Sequence, residues 1–404
     1  MRILLSAYSC GPGRGSEPGV GWNLARQAAR FHDVTILTLS DWRESIEAAL
    51  PSEPQRDRMR FAWLDVPAPF RWMKHRRHVE WLHYYLWQVA ALGAARRLHA
   101  EQRFDLTHHA TYVSWRVPNF LWRLGIPLIW GPVGGGQSIP PGFESALSFR
   151  GRLQELARNI ANRASSLDPF VRATAERAKV VLAANRETRD FLREAFGVEA
   201  TILSGVGVAP VPVRLRGAGN GRARLLWAGR LIAWKGIPLL LGALAEACRD
   251  VDAELEIVGD GPERKGLERL ARELGLERRV TFTGRISHEE LRARYGDRDL
   301  FVFPSLRETY GMALTEAMAA GLPSVVLDWA GPSALVTDEC GIRVPAVSPG
   351  QAVRDLAGAI RRLVSDPELR HRMGAAARDR ATRTISWNTV GDCLNGIYER
   401  AVSR

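Results

Sequence analysis

The sequence predicts an α/β protein with two doubly wound parallel sheets, and three observations support this prediction. Compact apolar runs alternate with segments of helical periodicity along nearly the whole chain, a pattern typical of strand–helix–strand units. A Pro-, Gly- and Arg-rich stretch at 209–223 interrupts the alternation, and we interpret it as an interdomain linker. With 404 residues the chain is long enough for two domains that each have a core.

The elements follow in two series. The first opens with the strand RILLSAY, a Gly-rich turn, a helix in GWNLARQAARF and the strand DVTILTL, and further strands are predicted at 59–66, 104–110, 127–133 and 179–185. The second contains the strands RLLWAGR, ELEIVGD, RVTFTGR, LFVFPS and PSVVLD, with helices around 238–249, 262–275, 287–296 and 314–320. We therefore expect domains at 1–208 and 209–384, with a ligand cleft between them, since open parallel sheets bind ligands beyond the carboxyl ends of their strands. The amphipathic segment 385–404 forms a final helix.

Composition restricts the classes of protein that fit. The four cysteines are scattered without pairing or metal-ligand spacing, which indicates free thiols in a reducing compartment. The first apolar run is too short for a signal peptide and no run is long enough to span a membrane, so we expect a cytoplasmic protein. The net charge of +12, carried almost entirely by arginine, favours an anionic partner: a nucleotide sugar, an acidic lipid surface or a nucleic acid.

Two acidic residues lie eight positions apart in the stretch RETYGMALTEAMAAGLP. Glu308 precedes a predicted loop-to-helix turn at Gly311, and Glu316 lies in the first turns of the helix. Unpaired backbone N–H groups at a helix start bind anions, so acids on both sides of it suit a ligand with hydroxyls on both sides of a phosphate. A sugar nucleotide has this chemistry. The alternative is a surface loop–helix unit with incidental acids.

Basic residues and glycines mark other strand ends. Arg230 and Lys235 in WAGRLIAWKG could both reach a diphosphate, or could belong to a solvated loop. The loop GPGRGSEPGVGWN does not have the dinucleotide-binding Gly spacing, and no ribose-binding acid follows the second strand. A second Gly-rich loop, WGPVGGGQ, is either a close-approach loop or plainly flexible.

Together, GRLIAWKG, VGDGPE, VTFTGR and ETYGMALTEAMAAGLP resemble the retaining GT-B glycosyltransferases of family 4, in that family's order and spacing. The resemblance covers nearly all of the second half and includes the final helix beginning SWNTV, which in the family crosses back to the N-terminal domain. It implies transfer of a sugar from a nucleotide-sugar donor, with retention of configuration and with attack by the acceptor on the leaving-group face. In the family this loop more often reads Glu-Gly-Phe-Gly, whereas this chain has Thr309 and Tyr310 between Glu308 and Gly311. This difference leaves the identity of the donor sugar open.

The resemblance also implies residue roles. Arg230 and Lys235 would hold the diphosphate, Glu308 would contact the donor sugar, and Glu316 would bind the ribose. The remaining donor-side positions are Gly15, Ser16, Gly259, Arg285, Ile286, Tyr310, Gly311 and Met312. Glu17 would touch the acceptor. Of the adjacent His108 and His109, strand alternation lets only one enter the cleft; we favour His109 as the catalytic histidine and keep His108 as the acceptor-side alternative.

We expect no metal and no cofactor, because the Asp-x-Asp pairs at 250–252 and 297–299 lie at helix ends and look structural. The expected acceptor is a saccharide or lipid-linked saccharide used in cell-surface polysaccharide or glycolipid synthesis. The basic aromatic segment 71–89, and more weakly 149–166, would suit an anionic membrane surface; segment 71–89 could instead line a sugar channel or be a buried helix. Alternative functions are a GT-B-shaped phosphorylase, a nucleotide-sugar epimerase, or a basic nucleic-acid-binding protein, although no nucleic-acid-binding motif is present.

Overall fold

The structure is a computed structural model that describes residues 1–76, 79–208 and 222–403. Most of the predicted linker at 209–223 lies outside these residues. The described chain divides into two compact units. Unit 1 comprises Met1–Gly136, Asn159–Gly207 and Trp387–Arg404, and unit 2 comprises Gln137–Arg158 and Val208–Ser386.

The first series of elements contains seven strands. The strands are β1 (Arg2–Ala7), β2 (Asp33–Thr38), β3 (Met59–Trp63), β4 (Leu106–Thr111), β5 (Leu128–Val133), β6 (Val180–Ala183) and β7 (Ala200–Ile202). The helices are α1 (Ser16–Ala29), α2 (Arg43–Ala49), α3 (Glu80–Gln102), α4 (Phe149–Ser166), α5 (Pro169–Arg177) and α6 (Arg186–Phe196). The strands form one parallel sheet in the order β3-β2-β1-β4-β5-β6-β7. Strands β1, β2 and β4 are buried on both faces, as expected when helices cover both sides of a parallel sheet.

The second series forms a six-stranded parallel sheet in the order β10-β9-β8-β11-β12-β13. Its strands are β8 (Ala223–Ala228), β9 (Ala253–Val258), β10 (Val280–Gly284), β11 (Leu300–Phe303), β12 (Ser324–Leu327) and β13 (Gly341–Val344). The helices are α7 (Ile237–Ala247), α8 (Arg264–Glu273), α9 (His288–Gly296), α10 (Met312–Ala319), α11 (Ala330–Leu335), α12 (Pro349–Ser365) and α13 (Pro367–Thr384). The prediction of two doubly wound parallel sheets is confirmed.

The last helix, α14 (Trp387–Val402), belongs to unit 1 and packs on α1. The Arg30 guanidinium lies 3.0 Å from the Asp392 carboxylate and donates to the Asn388 carbonyl at 3.1 Å. A Cβ at Gly391 would lie 2.4 Å from the Gln27 amide oxygen, so the two helices approach closely where glycine removes the side chain.

One part of the sequence-based domain assignment differs from the contacts in the structure. The sequence places all of 1–208 in the first domain, whereas residues Gln137–Arg158 belong to unit 2. The reason is side-chain pairing: Glu155 forms an ion pair with Arg307, and the indole of Trp329 donates to the Ser138 carbonyl at 2.9 Å. Periodicity cannot show such pairings, since the partners lie far apart in the sequence.

Candidate active site

Lys235 lies in a short 3₁₀ turn, Ala233–Lys235, beyond the end of β8. Gly236 follows with φ of 67°, and a Cβ there would lie 1.9 Å from the Pro304 carbonyl oxygen. Only glycine tolerates this approach, which brings the turn against the end of β11. The Lys235 ammonium then pairs with the Glu308 carboxylate, and both side chains are largely buried, with 15 and 16 % exposed.

The loop after β11 leads into α10 at a left-handed glycine. Gly311 has φ of 68° and is the N-cap of α10, and no side chain caps this helix end. The backbone N–H groups of the first turn therefore carry the positive end of the helix dipole, and the N-cap glycine offers them no side-chain acceptor. Tyr310 and Met312 flank the glycine and are half-buried. The predicted succession of loop, Gly311 and helix start is present in the structure, and anion binding there stays a prediction.

Glu316 lies in the middle of α10 and accepts two hydrogen bonds from neighbouring side chains. His288 Nε2 is 2.8 Å from one carboxylate oxygen, and the Tyr295 hydroxyl donates to the other at 3.2 Å. The hydrogen bond to Glu316 raises the pKa of His288 above its ordinary value, because the carboxylate stabilises the imidazolium. These contacts hold the carboxylate in place, and 20 % of the side chain stays exposed.

The remaining donor-side residues lie at the ends of neighbouring strands. Gly259 follows β9 with φ of 131°, and a Cβ there would lie 1.8 Å from the Gly229 carbonyl oxygen, so the loops after β8 and β9 touch through their backbones. Arg230 is exposed beyond β8, and Arg285 is exposed beyond β10, with Ile286 half-buried beside it. These residues therefore share one edge of the unit 2 sheet with Lys235 and Glu308.

The side chains that support the Glu308 loop were not among the residues predicted from the sequence. Arg307, next to Glu308, forms an ion pair with Glu155 of α4, and its guanidinium lies 4.2 Å from the Trp234 ring centroid. Glu155 also pairs with Arg158 at 3.5 Å. Burial lowers the pKa of Arg307, and the Glu155 carboxylate opposes that effect. The one sequence signal was the position of Arg307 and Trp234, each adjacent to a predicted site residue.

A second contact from the same segment reaches the loop. The Gln137 side-chain amide donates to the Thr309 hydroxyl at 2.6 Å, and the Arg158 guanidinium donates to the Gln137 carbonyl at 2.5 Å. Residues on both sides of Glu308 are thus held by the segment Gln137–Arg158. This arrangement limits the positions that the Glu308 carboxylate can take.

The Gly-rich loop of unit 1 ends in a strained residue. Gly15 is the N-cap of α1, and Ser16 begins the helix with φ of 62°, a left-handed conformation that is unusual for a residue with a side chain. The Glu17 carboxylate accepts from the Val113 amide at 3.0 and 3.3 Å. Burial raises the pKa of Glu17 to about 7, and the Val113 amide opposes this rise. Near neutral pH this carboxyl can hold or release a proton.

The two adjacent histidines of β4 are both buried. His108 uses both ring nitrogens inside unit 1, one with the Tyr398 hydroxyl at 2.7 Å and the other with the Gly131 carbonyl at 2.6 Å. The acceptor-side alternative for His108 is therefore wrong, because α14 covers the ring and no nitrogen is left for a ligand. His109 Nε2 lies 3.1 Å from the Tyr84 hydroxyl, while Nδ1 has no hydrogen-bond partner in the part of unit 1 that the structure describes. Burial lowers the pKa of His109 to about 3, so the ring is neutral.

The basic aromatic segment 71–89 divides between surface and core. Trp72 and Trp81 are 55 and 60 % exposed, whereas Tyr84 and Trp87 are buried in the unit 1 core, as the alternative of a buried helix expects for that part of the segment. Lys74 is paired with Asp41 at 2.6 Å. Arg77 lies outside the described residues.

The described ranges contain neither a metal-ligand cluster nor a membrane-spanning helix. Within 1–76, 79–208 and 222–403, no three His, Cys, Asp or Glu side chains are grouped so that they could hold a metal ion. The helices in the same ranges are all too short or too polar to cross a membrane.

Family comparisons agree with this geometry. Residues 14–204 match the model of the glycosyl transferase 4-like domain, and residues 216–380 match the model of glycosyl transferases group 1. The two parallel-sheet domains have the GT-B fold. Residues 216–380 thus carry the domain of the group 1 glycosyltransferases, and residues 14–204 carry the glycosyl transferase 4-like domain.

Similar proteins support the same class. The chain is 38 % identical over 181 residues to an alpha-D-kanosaminyltransferase of Streptomyces kanamyceticus, covering 44 % of this chain and 46 % of the relative. It thus spans about half the length of the curated relatives it matches. Sucrose-phosphate synthase of Thermosynechococcus elongatus superposes with a TM-score of 0.68 at 21 % identity, covering 99 and 98 % of the two chains. HepE of Anabaena, solved with UDP and glucose, superposes with a TM-score of 0.60 at 18 % identity, covering 99 and 100 %.

Proposed function

We propose that the protein transfers a sugar from a nucleotide-sugar donor to a saccharide or lipid-linked saccharide, with retention of anomeric configuration. The observation that carries this proposal is the pairing of Lys235 with Glu308 beside the uncapped start of α10. A cation and a row of backbone donors suit a diphosphate, and a fixed carboxylate suits sugar hydroxyls. The solved complex of the Anabaena relative with UDP and glucose makes a nucleotide sugar the natural donor class.

In this proposal the residues of unit 2 divide the work. Lys235 and Arg230 neutralise the negative charge that develops on the departing diphosphate, and the amides of the first α10 turn share it. Glu308 orients the hydroxyls of the donor sugar, and Glu316 accepts from the ribose. Lys235 is already paired, so donor phosphate competes with Glu308 for its ammonium group. This exchange places the cation where negative charge appears during the reaction.

Retention is proposed without a covalent intermediate. The acceptor attacks on the face from which the nucleotide leaves, as the resemblance to family 4 implies. The diphosphate charge is met by Lys235, Arg230 and the α10 amides, so the proposed reaction needs no metal ion. In unit 1, Glu17 and the Gly15–Ser16 turn are the proposed acceptor-side and phosphate-side groups, and His109 keeps its proposed catalytic role. Because that ring is neutral and partly satisfied by Tyr84, it would act as a hydrogen-bonding group.

We further propose a cytoplasmic location and a role in cell-surface polysaccharide or glycolipid synthesis. The exposed Trp72 and Trp81, together with Arg71 and Arg76, support contact with an anionic membrane that carries the acceptor. This contact would be weak, because Lys74 is already paired with Asp41 within unit 1. It would also be salt-sensitive, because salt screens the attraction between exposed arginines and lipid phosphates.

A panel of UDP-, GDP- and ADP-sugars tests the central proposal. The protein should slowly hydrolyse one donor in the absence of acceptor, and proton NMR of the fresh product should show the anomer of the donor. Release of the opposite anomer would contradict retention. Absence of hydrolysis and of calorimetric binding for every donor would contradict the nucleotide-sugar proposal.

A further inference from the structure

Helix α4 exposes a continuous apolar face. Its members are spaced at intervals of four, three and four residues and are 50 to 69 % exposed: Phe149, Leu153, Leu156 and Ile160. This spacing places all of them on one side of the helix, and we call this side the α4 face. Large apolar side chains grouped on a surface mark a binding site more often than scattered ones do.

The charges along α4 are divided between its two sides. Arg150, Arg152 and Arg163 are exposed. Glu155 is the one acidic residue of the helix, and its side chain is only 8 % exposed because it faces Arg307. Every strongly exposed charge on the helix is therefore positive.

Residues 149–158 of α4 belong to unit 2, and their side opposite the α4 face packs within that unit. A Cβ at Gly151 would lie 2.4 Å from the Ala233 side chain, so glycine allows the helix to pack against the turn that carries Lys235. The Ser148 hydroxyl, just before the helix, donates to the Glu263 carboxylate at 3.1 Å. Because the buried side includes the Glu155–Arg307 pair, the helix cannot turn its apolar side inward without breaking that pair.

We propose that the α4 face docks on an anionic lipid bilayer. An amphipathic helix that carries aliphatic and aromatic residues on one side, with arginines beside them, lies in the plane of the interface. Its apolar side enters the acyl boundary and its guanidinium groups meet lipid phosphates. A protein partner, including a second copy of this chain, would need acidic groups placed opposite the arginines as well as an apolar surface. The inference rests on the proposed function for the lipid-linked acceptor.

Docking through this face has a consequence for the donor site. The α4 face and the Gly151 contact with Ala233 lie on opposite sides of one helix, whose diameter is about 10 Å. The turn with Lys235 would therefore lie about one helix diameter from the lipid headgroups. A lipid-linked acceptor could be held near the donor without leaving the membrane.

Co-sedimentation of the full chain with phosphatidylcholine vesicles, with and without phosphatidylglycerol, tests the proposal. No donor or acceptor is added, so the result does not depend on whether glycosyl transfer is correct. Wild type should sediment with the anionic vesicles at low ionic strength. The double variant Leu153→Glu/Leu156→Glu should bind these vesicles at least about tenfold more weakly than wild type does. The matched control is Val347→Glu, which changes a 70 % exposed apolar residue of unit 2 elsewhere and should bind as wild type does.

A second arm tests the charges. Arg150→Glu/Arg152→Glu should weaken binding and reduce its salt dependence between about 0.05 M and about 0.5 M salt. Thermal unfolding confirms that each variant folds, and Ile160→Gln, a single neutral change on the α4 face, replaces the double variant if that one does not fold. Wild type that ignores anionic vesicles, or α4 variants that sediment as wild type does, would overturn the proposal. A wild-type dimer that the α4 variants disperse, without vesicle binding, would assign the α4 face to a second copy instead.

Discussion

Glu155→Ala tests whether the segment Gln137–Arg158 holds the Glu308 loop. The side chain pairs with Arg307 and Arg158, and the three side chains are only 8 to 12 % exposed. Removing one partner of a buried pair leaves an uncompensated charge and costs about 3–5 kcal/mol. The Arg307 guanidinium keeps its contact with the Trp234 ring at 4.2 Å, worth about 1 kcal/mol, so we expect a loss of about 3 kcal/mol in the free energy of unfolding.

Urea denaturation of the variant measures this loss, and steady-state kinetics measure its effect on turnover. Because Arg307 adjoins Glu308, we expect kcat to fall with little change in nucleotide affinity. The double variant Glu155→Gln/Arg307→Gln should regain part of the stability, since it removes the unpaired charge of Arg307, and only the pairing of Arg158 with the Glu155 carboxylate is then lost. The matched control is Glu273→Ala, which breaks an exposed pair with Arg269 at 3.7 Å and should cost less than about 0.5 kcal/mol. Equal, small losses for Glu155→Ala and Glu273→Ala would refute the argument.

Four further predictions concern the donor site. Glu316→Ala should weaken nucleotide binding by about 1.5–3 kcal/mol in calorimetry, while Glu308→Ala should chiefly lower turnover; unchanged nucleotide affinity of Glu316→Ala would remove the ribose assignment. Lys235→Ala and Arg230→Ala should each lower kcat more than they raise the donor KM, because leaving-group charge develops in the transition state, and near-normal turnover at saturating donor would contradict this. Activity should survive EDTA; loss with chelator and rescue by Mg²⁺ or Mn²⁺ would show that a metal takes part. The raised pKa of His288 implies that its pairing with Glu316 stabilises the fold below the unfolded pKa of about 6.5, and that this contribution disappears as pH rises through the higher folded value. The difference in Tm between wild type and His288→Gln should therefore shrink as pH rises, and a pH-independent difference would contradict the pairing.

The sequence by itself determined the fold class and most of the strands, but strands β7 and β13 and helices α11, α12 and α13 were not predicted from it. Apolar runs of strand length between helical segments predict parallel sheets, because local periodicity decides which faces of an element can be buried. The sequence also predicted the loop-to-helix turn at Gly311 with Glu308 before it and Glu316 after it, since a helix start and its glycine are local features. Local chemistry was thus enough to predict a helix start flanked by acids, and its binding of an anion stays a prediction.

Tertiary structure alone decided which side chains meet. Lys235 pairs with Glu308 across 73 positions, and Glu155 pairs with Arg307 across 152, because packing brings strand ends and α4 together. The same packing assigns Gln137–Arg158 to unit 2 and buries His108 under α14. Strand alternation correctly places the side chains of His108 and His109 on opposite faces, but it cannot show which helix covers each face. Burial and partner depend on the whole chain, and those two properties decide which of the candidate residues remain available to a ligand.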